Sequence, residues 1–299
     1  MSCHTQQTPL SSATPRAPRR VGLIAGWGRY PILVAQALRR QGIDVFCLGI
    51  AGHADPQLAE ICNDFRYNGI AHFEKAIRYF HQQQVTDVTM AGKVHKLLMF
   101  QPWRWFKHLP DRRAIRLFFP HFWTRQKDCR DDSLLGAVVA EFAREGMIFG
   151  PATDYVPEVL VSRGQLTSRS PSAWQLRDIQ FGWHLAKEMG RLDVGQSVAV
   201  KDQAVLAIEA VEGTDECIRR AGKLCPGGGF TIVKVAKPQQ DMRYDVPTFG
   251  LGTLETLVAA GGSVLAIEAG RTILLDGSEA IDFANRKGLI VTSLDAAPL

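Results

Sequence analysis

Val21-Gly-Leu-Ile-Ala-Gly26-Trp-Gly28-Arg-Tyr-Pro31-Ile-Leu-Val-Ala-Gln-Ala-Leu-Arg-Arg-Gln41 decides the fold class. A short apolar run, Val21 to Ala25, meets a glycine turn and passes into the helical pattern Ile32 to Gln41. Strand, tight turn and helix in that order begin a parallel α/β unit. Outward from it, Val45 to Ile50 reads as a second strand, Phe73 to Gln83 as a helix and Val85 to Ala91 as a third strand. This alternation predicts parallel pairing with right-handed crossovers, hence a Rossmann-like first domain. Asp131-Asp132-Ser133 then opens an apolar-periodic helix from Leu134 to Arg144, which Gly146 stops, and Met147 to Phe149 closes the sheet.

Three regions follow: a tail over 1–20, the Rossmann-like domain over 21–150 and a second, mixed α/β domain over 151–299. The turn-rich stretch Pro151 to Pro171 marks the crossing. In the second domain the expected order is a helix from Trp174 to Met189 and a hairpin, Ser197 to Lys201 and Ala204 to Glu209, turning at Asp202-Gln203. Helix Asp215 to Ala221, strand Thr231 to Ala236 and helix Thr253 to Ala260 come next. Strands Val264 to Glu268, Thr272 to Leu275 and Leu289 to Val291, with helix Ser278 to Arg286, complete it.

At 299 residues and 46% hydrophobic the chain buries a full core, and its net charge of +5 does not demand a nucleic-acid partner. The six cysteines are scattered, without a Cys-x-x-Cys pair, which indicates neither a zinc site nor a disulfide framework and suits a reducing cytosol. Residues 1–20, rich in Ser, Thr, Pro and Arg, lack the apolar core of a secretory signal, and no stretch reaches the about 18 apolar residues of a membrane span. The tail is expected to be disordered.

Gly26-x-Gly28 lets a backbone approach a phosphate or sugar at a helix N-terminus, but Pro31 stands where a third glycine belongs and no acid follows the second strand, which argues against NAD. The alternative is a plain strand-to-helix turn. Asp131 and Asp132 read first as helix caps, with a metal or hydroxyl-binding position, for Asp132, as the alternative. Between Lys96 and Lys127, eight basic residues stand among Phe100, Trp103, Trp105, Phe106, Phe118, Phe119, Phe122 and Trp123. Such a segment lies on an anionic bilayer or holds an acyl chain beneath a phosphate; a helical excursion packed into the core is the alternative.

Asp241, Arg243 and Asp245 alternate after an apolar run, and Glu209, Glu212 and Asp215 end another. Acids gathered from two strand ends bind a divalent cation or hold a proton that water would remove. Arg243 would hold an acid or a phosphate oxygen. Against this stand a solvent-exposed salt-bridged loop and helix capping by Thr214 or Asp215.

Taken together, G-L-I-A-G-W-G-R-Y-P, M-A-G-K-V-H-K, D-D-S-L-L, D-V-G-Q-S-V-A-V-K-D, A-I-E-A-V-E-G-T-D and K-P-Q-Q-D-M-R-Y-D-V-P-T-F-G make the chain from Val21 to Val291 resemble the LpxI family of UDP-2,3-diacylglucosamine pyrophosphatases. The resemblance implies a Mg²⁺-dependent hydrolase of lipid A biosynthesis, cytoplasmic and peripheral to the inner membrane. It would split a lipid-linked UDP-sugar into UMP and 2,3-diacylglucosamine 1-phosphate, with water attacking the phosphorus nearer the sugar. The family's essential aspartate falls on Asp241. Asp241 and Asp245 are then the expected catalytic acids. Gly26, Gly28, Lys93, Thr214, Lys237 and Arg243 are the substrate contacts, and Asp241, Glu209, Glu212, Asp215 and Asp132 the metal ligands. No nucleic acid is expected, a homodimer is left open, and the competing class is a non-catalytic nucleotide-sugar or phospholipid binding protein.

Overall fold

The computed structural model describes residues 19–94, 109–122 and 131–295, with side chains left out at 119–122 and 131–132. In the first half β1 (Arg20–Ala25), α1 (Tyr30–Arg40), β2 (Asp44–Ile50), α2 (Leu58–Ile61), β3 (Asp64–Asn68), α3 (Phe73–Gln82) and β4 (Asp87–Ala91) alternate. Helices α4 (Arg112–Phe122) and α5 (Asp131–Arg144) precede β5 (Ile148–Phe149). All five strands are parallel in the order β3-β2-β1-β4-β5.

Alternation along these strands feeds two cores. Val21, Leu23, Ala25, Val45 and Cys47 pack on one face with Val34, Ala35 and Leu38 of α1. Phe46, Leu48 and Val88 pack on the other with Phe80 of α3 and Val138, Val139 and Phe142 of α5. Helices thus cover both faces, which is the doubly wound arrangement. Sequence reading passed over α2 and β3, so Val85 to Ala91 forms the fourth strand and not the third. Asp64-Phe-Arg-Tyr-Asn68 carries no apolar run because it is an edge strand, bonded only to β2 and half exposed.

The second half runs β6 (Gly164–Gln165), α6 (Ala173–Arg191), β7 (Ser197–Lys201), β8 (Ala204–Ile208), α7 (Thr214–Leu224), β9 (Thr231–Lys234) and β10 (Thr248–Phe249). Then come α8 (Leu251–Ala259), β11 (Val264–Glu268), β12 (Ile273–Leu274), α9 (Gly277–Lys287) and β13 (Ile290–Leu294). Its six-stranded sheet has the order β6-β13-β11-β9-β7-β8, with β9, β11 and β13 parallel and β6, β7 and β8 supplying antiparallel pairs. Asp202 and Gln203, with φ of 51° and 59°, make the expected hairpin turn, whose two left-handed residues match the twist of the flanking strands. Ser172 and Gln175 form a reciprocal capping box that starts α6. Strands β6 and β10, of two residues each, had no readable pattern.

The four described cysteines are free. No helix among the described residues is long and apolar enough to cross a membrane.

Candidate functional site

In a parallel sheet ordered β3-β2-β1-β4-β5, the order in which successive strands are added reverses between β1 and β4, which leaves a crevice beyond their carboxyl ends. Gly26 and Lys93 sit there. The Gly26 amide donates to Ala91 O at 2.8 Å, and Trp27 and Lys93 exchange two backbone hydrogen bonds of 2.8 and 3.0 Å. The two loops are in such contact that a Cβ on Gly26 would lie 2.6 Å from Lys93 O. Gly28 has φ of +104°, and a Cβ there would meet nothing within 4 Å, so its role is conformational and its surroundings are open.

Lys93 reaches from this crevice to the second half. Much of the residue faces solvent, yet loss of water about its ammonium and the neighbouring Lys234 charge lower its pKa, against smaller opposing effects of Asp215 and Glu209. Lys234, at the carboxyl end of β9, is 5% exposed, and its Nζ donates to Thr214 Oγ1 at 2.6 Å. Thr214 in turn donates to Glu209 Oε1 at 2.8 Å, with Ser197 Oγ 3.5 Å away. Burial would raise the pKa of Glu209, but Lys234 and hydrogen bonds from Ser197 and Thr214 prevail and lower it, so the group is a buried carboxylate. Its second oxygen, Oε2, is buried without a hydrogen-bond partner. Lys93, with Gly26 against its backbone, thus stands within electrostatic reach of Glu209, Asp215 and Lys234, and Thr214 links the last of these to Glu209.

Thr214 and Asp215 are not caps: the cap position of α7 is Gly213, φ +85°, with no side-chain hydrogen bond, and both residues lie inside the first turn. Glu212 turns to Arg220, 2.5 Å away. The helix carrying Asp132 begins at Asp131, three residues earlier than its apolar pattern, while the Asp132 side chain lies outside the described residues. So does most of the basic-aromatic window, including Lys96, Arg104, Lys107, Arg125 and Lys127, and so does the tail over 1–18.

The acidic loop packs on both cores of the first half. Tyr244 joins the core on the α5 face, with Ile24 of β1 and Met90 of β4, whereas Val246 joins the core on the α1 face. Alternating Asp241, Arg243 and Asp245 would project to one side of an extended backbone. The segment is a turn, with Tyr244 N and Asp245 N directed to Asp241 O at 3.4 and 3.3 Å. The carboxylate causes this by gathering Arg243: Oδ1 accepts the Arg243 N–H at 3.0 Å and Nε at 2.9 Å, and Oδ2 accepts a guanidinium N–H at 2.6 Å. The Arg243 side chain is accordingly the main reason that Asp241 titrates below the ordinary aspartate range.

Lys237 and Asp245 serve each other. Lys237 is 7% exposed, with its Nζ 2.7 Å from Asp193 and 3.3 Å from Asp245, while Gln240 donates to Asp245 O. This tether fixes the loop. Arg29, beside the glycine turn, pairs with Asp276 of the second half at 2.5 Å.

Among the described residues no three His, Cys, Asp or Glu stand together as a cation cage. The expected carboxylates are divided between the Glu209–Asp215 group, the Glu212–Arg220 pair and the Asp241 loop. Magnesium in phosphate sites is commonly held by one or two carboxylates and the substrate's phosphates, so the orphaned Glu209 Oε2, near Asp215, fits a cation of that kind.

Lys234 and Ser197 escaped the sequence reading. The available signal was a lysine ending the buried strand Thr231-Ile-Val-Lys234, where an ammonium is costly unless something answers its charge.

A family model described as the LpxI N-terminal domain matches residues 20–159, and one described as the LpxI C-terminal domain matches residues 162–292. The chain is 31% identical over 288 residues to the UDP-2,3-diacylglucosamine pyrophosphatase LpxI of Caulobacter vibrioides, an alignment that covers 93% of this chain and 98% of the relative.

Proposed function

The chain belongs to the LpxI family, and from that premise we propose that it hydrolyses the diphosphate of UDP-2,3-diacylglucosamine, releasing UMP and 2,3-diacylglucosamine 1-phosphate. One observation supports the reading: Lys93, at the opening beyond the switch point of the first sheet, stands within electrostatic reach of Lys234, Asp215 and Glu209 of the second half, where Lys234, Thr214 and Glu209 form one hydrogen-bonded chain. A diphosphate laid across this opening meets cations from both halves. Gly26 and Gly28 leave room for backbone contact with phosphate or sugar.

In the reaction a water oxygen bonds to the phosphorus nearer the sugar as the bond to the UMP oxygen breaks. Charge grows on that leaving oxygen, and ammonium groups fixed before the reaction stabilise it. Asp241 orients the water and accepts its proton as the new bond forms. A carboxylate this firmly ionised is too weak a base to act earlier. Arg243 turns from Asp241 to a phosphate oxygen when substrate arrives, and Asp245 and Lys237 hold the loop in place.

Lys93 and Lys234 balance the charges of Glu209 and Asp215, so the negative diphosphate calls for a further cation, Mg²⁺. Glu209 and Asp215 would hold it, and it would neutralise phosphate oxygens.

Peripheral contact with the cytoplasmic surface of the inner membrane completes the proposal. Arg112, Ile115 and Arg116 make one exposed side of α4, cations beside an apolar side chain, as contact with anionic lipid requires.

The test is incubation of the protein with UDP-2,3-diacylglucosamine in ¹⁸O water, with Mg²⁺ or with EDTA. The expected result is Mg²⁺-dependent UMP release with the label in the lipid phosphate. Tight binding without UMP release would favour the binding-protein class, and label in UMP would move the attack to the other phosphorus.

A further inference from the structure

We infer that Lys234 is a diphosphate-binding residue of this site, positioned through Thr214 by Glu209. The inference rests on the proposed reaction and adds to it a residue and a device for aiming it.

Lys234 is set in the middle of the second sheet, flanked in register by Ser197 of β7 and Ile267 of β11, and is 5% exposed. Long charged side chains are seldom placed so deep without a partner that compensates for lost water. Its hydrogen bond to Thr214 Oγ1 uses one of three ammonium N–H groups. The Thr214 hydroxyl accepts from Lys234 and donates to Glu209 Oε1, so the direction of the chain is fixed from ammonium to hydroxyl to carboxylate. Glu209, 7% exposed, thereby holds Thr214 in one rotamer and Lys234 in one place.

The Lys93 ammonium approaches from the other half closely enough for Lys234 to depress its pKa. Glu209 and Asp215 offset the repulsion between these cations from the protein side, and an anion bound between the two ammonium groups adds to that compensation. Lys93 then takes the diphosphate from the first half and Lys234 from the second. The sequence reading had named Lys237 among the substrate contacts, and the structure commits that lysine to Asp193 and Asp245.

The experiment measures UDP binding by calorimetry without Mg²⁺, and turnover of UDP-2,3-diacylglucosamine with it, for wild type, Lys234→Gln, Lys234→Met, Thr214→Val and Thr214→Ser. Lys234→Gln retains a donor for Thr214 while losing the charge, and circular dichroism verifies the fold; it keeps the test open should Lys234→Met not fold. The expected result is a UDP affinity at least tenfold weaker in Lys234→Gln, and a kcat/KM lowered about 100-fold, the order of a hydrogen bond to a charged group. Thr214→Val follows in the same direction, and Thr214→Ser, which keeps the hydroxyl, recovers most of the loss. UDP affinity and kcat/KM of Lys234→Gln within threefold of wild type would overturn the assignment. Absence of turnover in wild type would instead remove the proposed reaction, with UDP affinity still deciding the lysine.

Discussion

Gly26→Ala tests whether the first sheet's loops set the position of Lys93. The added Cβ would lie 2.6 Å from Lys93 O and 3.0 Å from Gly92 C, both backbone atoms that no rotamer change can move. Ordinary contact begins at 3.4 Å, so the two loops must part by the difference, 0.8 Å. Parting by that amount stretches the Trp27 N to Lys93 O bond from 2.8 Å to about 3.6 Å, past the length of a hydrogen bond. Overpacking of this kind costs about 1–3 kcal/mol, and loss of the two bridge bonds adds about 1 kcal/mol each. An overall loss of about 3–5 kcal/mol is expected in urea unfolding at constant m-value. A misplacement of this size also lowers kcat/KM by about 100-fold, because Lys93 moves with its backbone. Gly42→Ala is the comparison: its φ of +72° makes alanine costly, about 1–2 kcal/mol, but no atom lies within 4 Å of the new Cβ and the turn is remote from the crevice. Stability should fall in both variants and turnover only in Gly26→Ala. Wild-type stability and kinetics in Gly26→Ala would refute the argument from loop contact.

Asp241→Asn removes a group whose pKa is lowered in the folded state. Its stabilisation is present above the ordinary aspartate value of about 3.9 and is lost as pH falls through the lowered value, so acid unfolding of the variant should depend less steeply on pH below about 4, as followed by circular dichroism. Lys187→Met leaves Glu268, whose side chain is 9% exposed, without the ammonium 2.7 Å away, and should cost about 3 kcal/mol in chemical denaturation; adding Glu268→Gln, which still accepts from Ala236 N, should recover part of it. Tyr244→Ala removes the anchor that joins the acidic loop to the first half, so thermal unfolding should show a loss of about 2–3 kcal/mol, and kcat should fall more than KM rises. Equal stability with unaltered kcat would show that the loop is held elsewhere.

The elements that periodicity could reveal were those with an apolar face. Val264 to Glu268 was legible to the residue because all five of its side chains are buried. Strand β3 was not, because an edge strand can carry Asp64, Arg66 and Asn68 while its backbone bonds to β2. At the site, the glycine turn and the acidic loop stood out by composition, but their partners did not. Lys93 and Lys234 are 141 positions apart, and only the closing of one half on the other shows that they converge. The turn at Asp241 was hidden for a different reason. Alternating residues project to one side only in extended backbone, and the short polar side chain of Asp241 captured the Arg243 N–H instead.

This division of the site explains why its acids form no cage among the described residues. A protein-only cation cage would satisfy Glu209 and Asp215 before substrate arrived and would leave Lys93 and Lys234 facing each other with nothing to separate them. In the arrangement found, the two carboxylates offset the two ammonium groups, and Glu209 Oε2 remains without a donor. Each half is incomplete in a complementary way: the first supplies a cation and a close backbone turn, and the second supplies a cation, its orienting hydroxyl and an unsatisfied carboxylate oxygen. A diphosphate that brings its own divalent cation completes both at once, so affinity for UDP should rise when Mg²⁺ is added, and should rise less in Glu209→Gln. Equal enhancement in the two proteins would place the cation away from Glu209.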